Sequence, residues 1–145
     1  MNKLVKFSTL MLFAALIFAG CKKDEPANYA DDIVGVYVGQ LMVTASGVTS
    51  NVDNATLVVT RVANDKVNIK ADMTSFGVGE VNCEAKVTKS GNDYNVEGTS
   101  EVLTFSVVIS GNISENGNAI ININVATDTT PAIQMASAIF TGQRQ

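Results

Sequence analysis

The sequence predicts an all-β chain that folds as an antiparallel up-and-down barrel of about eight strands. Three observations point there. From about Tyr29 onward apolar and polar residues alternate with a period of two, the spacing that puts every second side chain on one face of a strand. Between such runs lie Ala63-Asn64-Asp65-Lys66, Ser90-Gly91-Asn92-Asp93 and Glu115-Asn116-Gly117-Asn118, built from residues that tolerate tight-turn backbone angles. No long stretch has a helical period, and the two prolines, Pro26 and Pro131, fall outside the expected strands.

Strands are expected at 34–44, 55–63, 66–73, 80–89, 93–101, 103–114, 119–126 and 132–141. In the third, Val67, Ile69, Ala71 and Met73 alternate with Asn68, Lys70 and Asp72; in the fourth, Val81, Cys83, Ala85 and Val87 alternate with Asn82, Glu84, Lys86 and Thr88. Each has one buried and one wet face. The first strand is apolar on both faces, with Val34, Val36, Val38 and Met42 opposite Tyr37 and Leu41. The sixth, around Leu103 to Ile109, and the last, with Ile133, Met135 and Ile139 against Ala136, Ala138 and Phe140, share that character. Connections this short favour an up-and-down order, and closing the sheet removes both exposed edges.

Two consequences follow for a site. The inward set mixes bulky Tyr37, Leu41, Ile69 and Met73 with small Gly39, Ala71, Ala85 and Gly98. The bulky four are candidates for a barrel floor or for the lining of a small-ligand cavity, since an eight-stranded barrel is either filled by side chains or holds one small molecule. The second apolar face along the closing seam, represented by Val36, Val38, Met42 and Phe140, must be covered by a partner protein or a second copy, or else be extra core in a flattened, sandwich-like barrel.

The chain opens differently. Lys3 and Lys6 precede an unbroken apolar run from Leu10 to Ala19, far short of the roughly 20 residues of a membrane span. This is the pattern of a signal peptide over 1–20. Phe18-Ala19-Gly20-Cys21 resembles the lipobox of bacterial lipoproteins, and the resemblance implies cleavage before Cys21 and acylation of Cys21, leaving a lipid anchor, a linker over 21–29 and a folded domain over 30–145. Two or more acyl chains give lasting attachment. Lys22-Lys23-Asp24-Glu25 resembles the surface-export signal found in one phylum of Gram-negative anaerobes, which implies an outer-membrane domain facing outward.

Within the folded part, Gly35-Val36-Tyr37-Val38-Gly39-Gln40-Leu41 and the exit Phe140-Thr141-Gly142 are similar to the calycin-like domain of small lipoproteins from the same bacteria, a family related in shape to lipocalins and without a settled activity. Lipocalins carry Gly-x-Trp near the first strand and a late basic residue over the indole. Here Tyr37 stands at the tryptophan position and Arg144 is the late basic candidate. Asp128-Thr129-Thr130 is similar to a short motif that these bacteria O-glycosylate, which makes Thr129 a candidate modification site.

Composition narrows the chemistry. The formal charge of -4 becomes -6 once Lys3 and Lys6 leave with the signal peptide, a balance that repels phosphate backbones and argues against a nucleic-acid partner. There is no histidine, so histidine-based triads and imidazole proton transfer are excluded. Cys83, the sole thiol after lipidation, alternates inward as a small apolar filler with no partner for a disulfide. Gly77-Val78-Gly79 lacks the third glycine and following helix of a dinucleotide loop. Asn51, Asp53 and Asn54 read as a polar loop without calcium-loop spacing, and acid pairs such as Glu80 with Glu84 have no apolar pocket to raise a pKa. The expectation is a non-enzymatic protein with no cofactor and no metal. It is held to the membrane by lipid and acts as an interaction module, the alternative being a small hydrophobic-ligand carrier.

Overall fold

The computed structural model describes residues 27–102 and 104–145. The signal segment and Cys21 lie outside the described residues, as does Leu103. Eight antiparallel strands follow one short helix: α1 (Tyr29–Ile33), β1 (Gly35–Ala45), β2 (Val48–Ala63), β3 (Lys66–Met73), β4 (Gly79–Ser90), β5 (Asp93–Val102), β6 (Phe105–Ser114), β7 (Asn118–Thr127) and β8 (Gln134–Arg144). Each strand pairs with the next in sequence, and β8 pairs with β1 to close the barrel. The expected fold class is the observed one.

One end of the barrel, the floor, gathers the start of β1, the end of β8 and the β2–β3, β4–β5 and β6–β7 turns. The other end, the rim, gathers the β1–β2 turn and the longer β3–β4 and β7–β8 connections, the former carrying a short 3-10 turn at Thr74–Phe76. Inside runs one continuous apolar core, to which every strand contributes. Its largest members include Tyr37, Phe140, Leu57, Ile69, Met73 and Ile123. Burying an aliphatic or aromatic side chain of this size contributes about 1.5–3 kcal/mol, so the alternation read in the sequence is the main source of stability.

Three parts depart from the sequence expectation. The second strand begins at Val48 and not at 55, so Asn51, Asp53 and Asn54 lie on a strand instead of a loop, with the Asp53 carboxylate accepting a 3.0 Å hydrogen bond from Gln40. The reason is geometric. β3 pairs with β2 only from Leu57 onward, so Val48–Thr56 is bound to β1 alone and overhangs the rim. Only Val52 and Ala55 of this stretch pack in part against the core, which leaves little to impose alternation. Tyr29, expected to close the linker, opens α1, a helix of 5 residues that is too short to show a periodic signal.

The third departure concerns size. Gly39 and Gly98 point inward, but neither leaves room for a ligand. A Cβ on Gly39 would stand 2.1 Å from the carbonyl oxygen of Thr141, and one on Gly98 would stand 2.2 Å from that of Glu84. At these positions the neighbouring backbone itself occupies the space. They are corners, where the sheet bends sharply enough to close into a small barrel.

Candidate functional site

Tyr37, Leu41, Ile69 and Met73 all point into the barrel and are at most 2% exposed. Tyr37 forms the floor. Its hydroxyl donates a 2.6 Å hydrogen bond to the carbonyl of Ile33, at the end of α1, while Arg144 Nη1 donates to the Asp32 carbonyl at 2.7 Å. Burial pushes the Tyr37 hydroxyl above its ordinary pKa, an effect that the adjacent Arg144 partly offsets. The aliphatic stem of Arg144 lies over Gly35, where a Cβ would come within 2.9 Å of its Cδ.

α1 is fastened across this floor by several strands at once. Its Ala30 amide donates to the Asn64 carbonyl at 2.9 Å, and the Asp31 carboxylate meets Arg61 at 3.1 Å. Tyr94 donates to the Asp32 carboxylate at 2.8 Å, and Lys89 bridges Tyr94 and Glu115 at 3.2 and 2.6 Å. Glu115, then Tyr94, raise the Lys89 pKa, while desolvation and then Asp32 raise that of Tyr94. These side chains line an open cleft of about 500 Å³ beneath the barrel. Their polar groups are engaged with one another, so the cleft works as a latch that holds the helix in place.

Two further clefts open on the outer surface. One of about 280 Å³ lies at the rim beside Thr44 and Met135, and one of about 310 Å³ lies along Gly98 and Val108. None of the three clefts is lined by Tyr37, Leu41, Ile69 or Met73.

The outer surface is the more informative site. Four contiguous strands, β6, β7, β8 and β1, carry a single charged residue, Arg144, and that one is turned to the floor. Their outward side chains are amides, hydroxyls and aliphatics arranged in rows across the strands. One row runs Asn112, Ile120, Thr141, Gln40, and the next runs Ser110, Asn122, Ile139, Met42. Val36, Met42, Val108, Ile120, Met135 and Ile139 are each between 38% and 54% exposed. Most of the large exposed apolar residues of the described chain therefore stand on this one wall. β3, β4 and β5 form the opposite wall and carry ten charged residues, four lysines and six acids. Lys66 pairs there with Glu84 at 3.0 Å and Lys70 with Glu80 at 2.8 Å.

Of the seam residues expected from sequence, Val36 and Met42 are exposed on the uncharged wall and Val38 is half-buried there. Phe140 is not part of it. Paired with Leu41 and 1% exposed, Phe140 belongs to the core, and its ring covers Gly142, where a Cβ would fall 2.4 Å from Cζ. Its neighbour Ile139 takes the outward place beside Met42. The two-sided sixth strand already pointed to Val108; sequence reasoning missed Ile120, although the absence of charge from strands six to eight was there to be read. Thr129 is exposed in the β7–β8 connection, its hydroxyl bonded to Thr127 at 2.7 Å and donating to the Pro131 carbonyl at 3.0 Å. Cys83 is fully buried, and desolvation raises its thiol pKa.

Among the described residues no helix is long and apolar enough to cross a membrane. The strands have the opposite polarity to a bilayer-spanning barrel, which faces lipid with apolar side chains and water with polar ones. Here the core is apolar, and the lysines and acids of β3, β4 and β5 face outward.

Comparison with known proteins gives a fold without a family. No family model and no curated protein matches the chain. Among solved structures it is similar to a candidate outer membrane protein of Bacteroides fragilis, with a TM-score of 0.69 and 17% identity, over 83% of this chain and 54% of that one. The chain thus spans about half of that protein's length. At this identity the likeness establishes a shared barrel architecture.

Proposed function

We propose that this chain is a lipid-anchored, non-catalytic interaction module at the outer membrane, displayed on the cell surface and engaging its partner through the uncharged wall of β6, β7, β8 and β1. The segregation of charge to the other wall carries this reading. Interface centres are depleted of charge and enriched in large apolar side chains, because a charge buried without a partner is costly. Anchoring rests on Phe18-Ala19-Gly20-Cys21, and the outward orientation on the acidic-basic tract behind it. The candidate outer membrane protein of similar fold is compatible with that location. A floor made of Tyr37, Arg144 and a short capping helix supports a lipocalin-like ancestry for the barrel. A carrier role has less support, since the small inward glycines accommodate backbone. Absence of histidine and a buried thiol support a non-enzymatic role.

The test is photo-crosslinking in intact cells of the native organism, with the probe placed at Ile120 on the uncharged wall and at Glu84 on the charged one. Adducts from Ile120 and none from Glu84 are expected. Equal labelling from both positions would overturn the reading. Protease treatment of the same cells tests display, and Cys21→Ser, which should release the chain from the membrane fraction, tests anchoring.

A further inference from the structure

We infer that the partner of the uncharged wall is a second copy of this chain, standing beside it on the same membrane. This rests on the reading of that wall as an interface and adds the identity of the occupant. The argument is one of symmetry and charge. In a two-fold interface the same patch serves both subunits, so residues near the axis face their own copies. A wall rich in acids would meet its own acids there. β4 and β5 present Glu80, Glu84, Glu97 and Glu101 outward, and pairing through them would set like charges together. Apart from Arg144, turned to the floor, the uncharged wall has no charge to oppose to itself, and its aliphatics Ile120, Ile139 and Met42 lie in adjacent rows on the neighbouring strands β7, β8 and β1. Pairing through it also turns the acidic walls of both subunits outward, to the greatest separation the dimer allows.

Size and orientation agree. A face four strands wide and some ten residues long offers on the order of 600 Å² before side-chain relief is counted. That is close to the roughly 800 Å² that each partner gives to an interface of ordinary size. Both walls run along the barrel axis, and the chain enters the barrel at the floor through α1. A two-fold axis parallel to the barrel axis therefore keeps both floors, and both N-terminal tethers, on one side. Confinement to a single membrane raises the effective concentration of the two copies.

The experiment co-expresses two full-length chains with different C-terminal epitope tags in the native organism, solubilises the membranes in mild detergent and captures one tag. Co-purification of the second tag is expected. It should be lost when both chains carry Ile139→Asp and retained when both carry Glu84→Lys. Retention with Ile139→Asp would place self-association elsewhere and overturn the proposal. Failure of the wild-type copies to co-purify, with crosslinking at Ile120 persisting to a different protein, would overturn the second-copy assignment and leave the interface reading standing. Loss of both signals would remove both. Native yield and circular dichroism of the Ile139→Asp chain separate a lost interface from a lost fold.

Discussion

The charged wall of β3, β4 and β5 and the uncharged wall of β6, β7, β8 and β1 share one backbone plan and one core, yet their exteriors have different chemistry. On the first, lysines and acids are intermixed on the outer face, and ion pairs such as Lys66 with Glu84 bridge neighbours at 3.0 Å. On the second, Ile139 stands beside Met42 and Asn122 with no charge nearby. Folding requires only that the inner face be apolar, and both walls meet that demand equally. The difference outside is therefore free to serve something other than stability. A charged face favours hydration, and an uncharged one with exposed aliphatics is the face on which the proposed contact rests.

The largest test of this comparison is made within a single strand of the uncharged wall. Phe140→Ala should cost about 3–5 kcal/mol, because it empties a packed interior site. Ile139→Ala, one residue away and outward, should change the stability of the dissociated monomer by about 0.5 kcal/mol or less. Urea unfolding of the two variants checks the contrast, and equal losses would mean that the outer face is core after all. Next in size, Gly39→Ala should cost about 1–3 kcal/mol or more, since its Cβ must displace the β8 backbone at the seam. Thermal unfolding would reveal it as a lowered Tm, and a neutral outcome would show that the corner has room.

Smaller effects sharpen the picture. Tyr37→Phe removes the donor to the Ile33 carbonyl and should cost about 0.5–1.5 kcal/mol, with amide exchange in α1 accelerated ahead of exchange in the strands. The least effect belongs to the charged wall. Glu84→Gln breaks an exposed ion pair with Lys66, so thermal unfolding should change least here, and the small difference from wild type should shrink further at high salt. The rim gives a pH counterpart. Hydrogen bonds from Thr74 hold the Asp72 carboxyl below its usual pKa. Its contribution is therefore fully present above the ordinary carboxylate range and is lost as pH falls through the lowered folded value. A carboxyl NMR titration of Asp72 midway at or above the ordinary value would contradict this.

The sequence legibly carried the strands that have a core beneath them. β3 matches its expected span, and β4, β5 and β7 differ from theirs by a residue or so at each end, because alternation and turn residues report burial and chain reversal directly. The overhanging half of β2 was invisible for the same physical reason. Thr49, Ser50 and Asn51 are exposed and carry no burial pattern, and only pairing with β1 makes them a strand. For the candidate site, Val36, Val38 and Met42 were readable as the outer face of β1. Phe140 was not placed, because the last strand is apolar on both faces and either parity fits its sequence until the partner register chooses one.

By itself, then, the amino-acid sequence determined the fold class, the strand count, the acidity of the domain and the absence of histidine. These depend on local periodicity and composition, which need no partner to be read. Only the tertiary structure decided which apolar face points inward at the seam, that the inward glycines are corners where backbones meet, and that four strands with no charge but Arg144 lie side by side. Those are properties of register and closure, set by residues far apart in the chain that meet only when β8 pairs with β1.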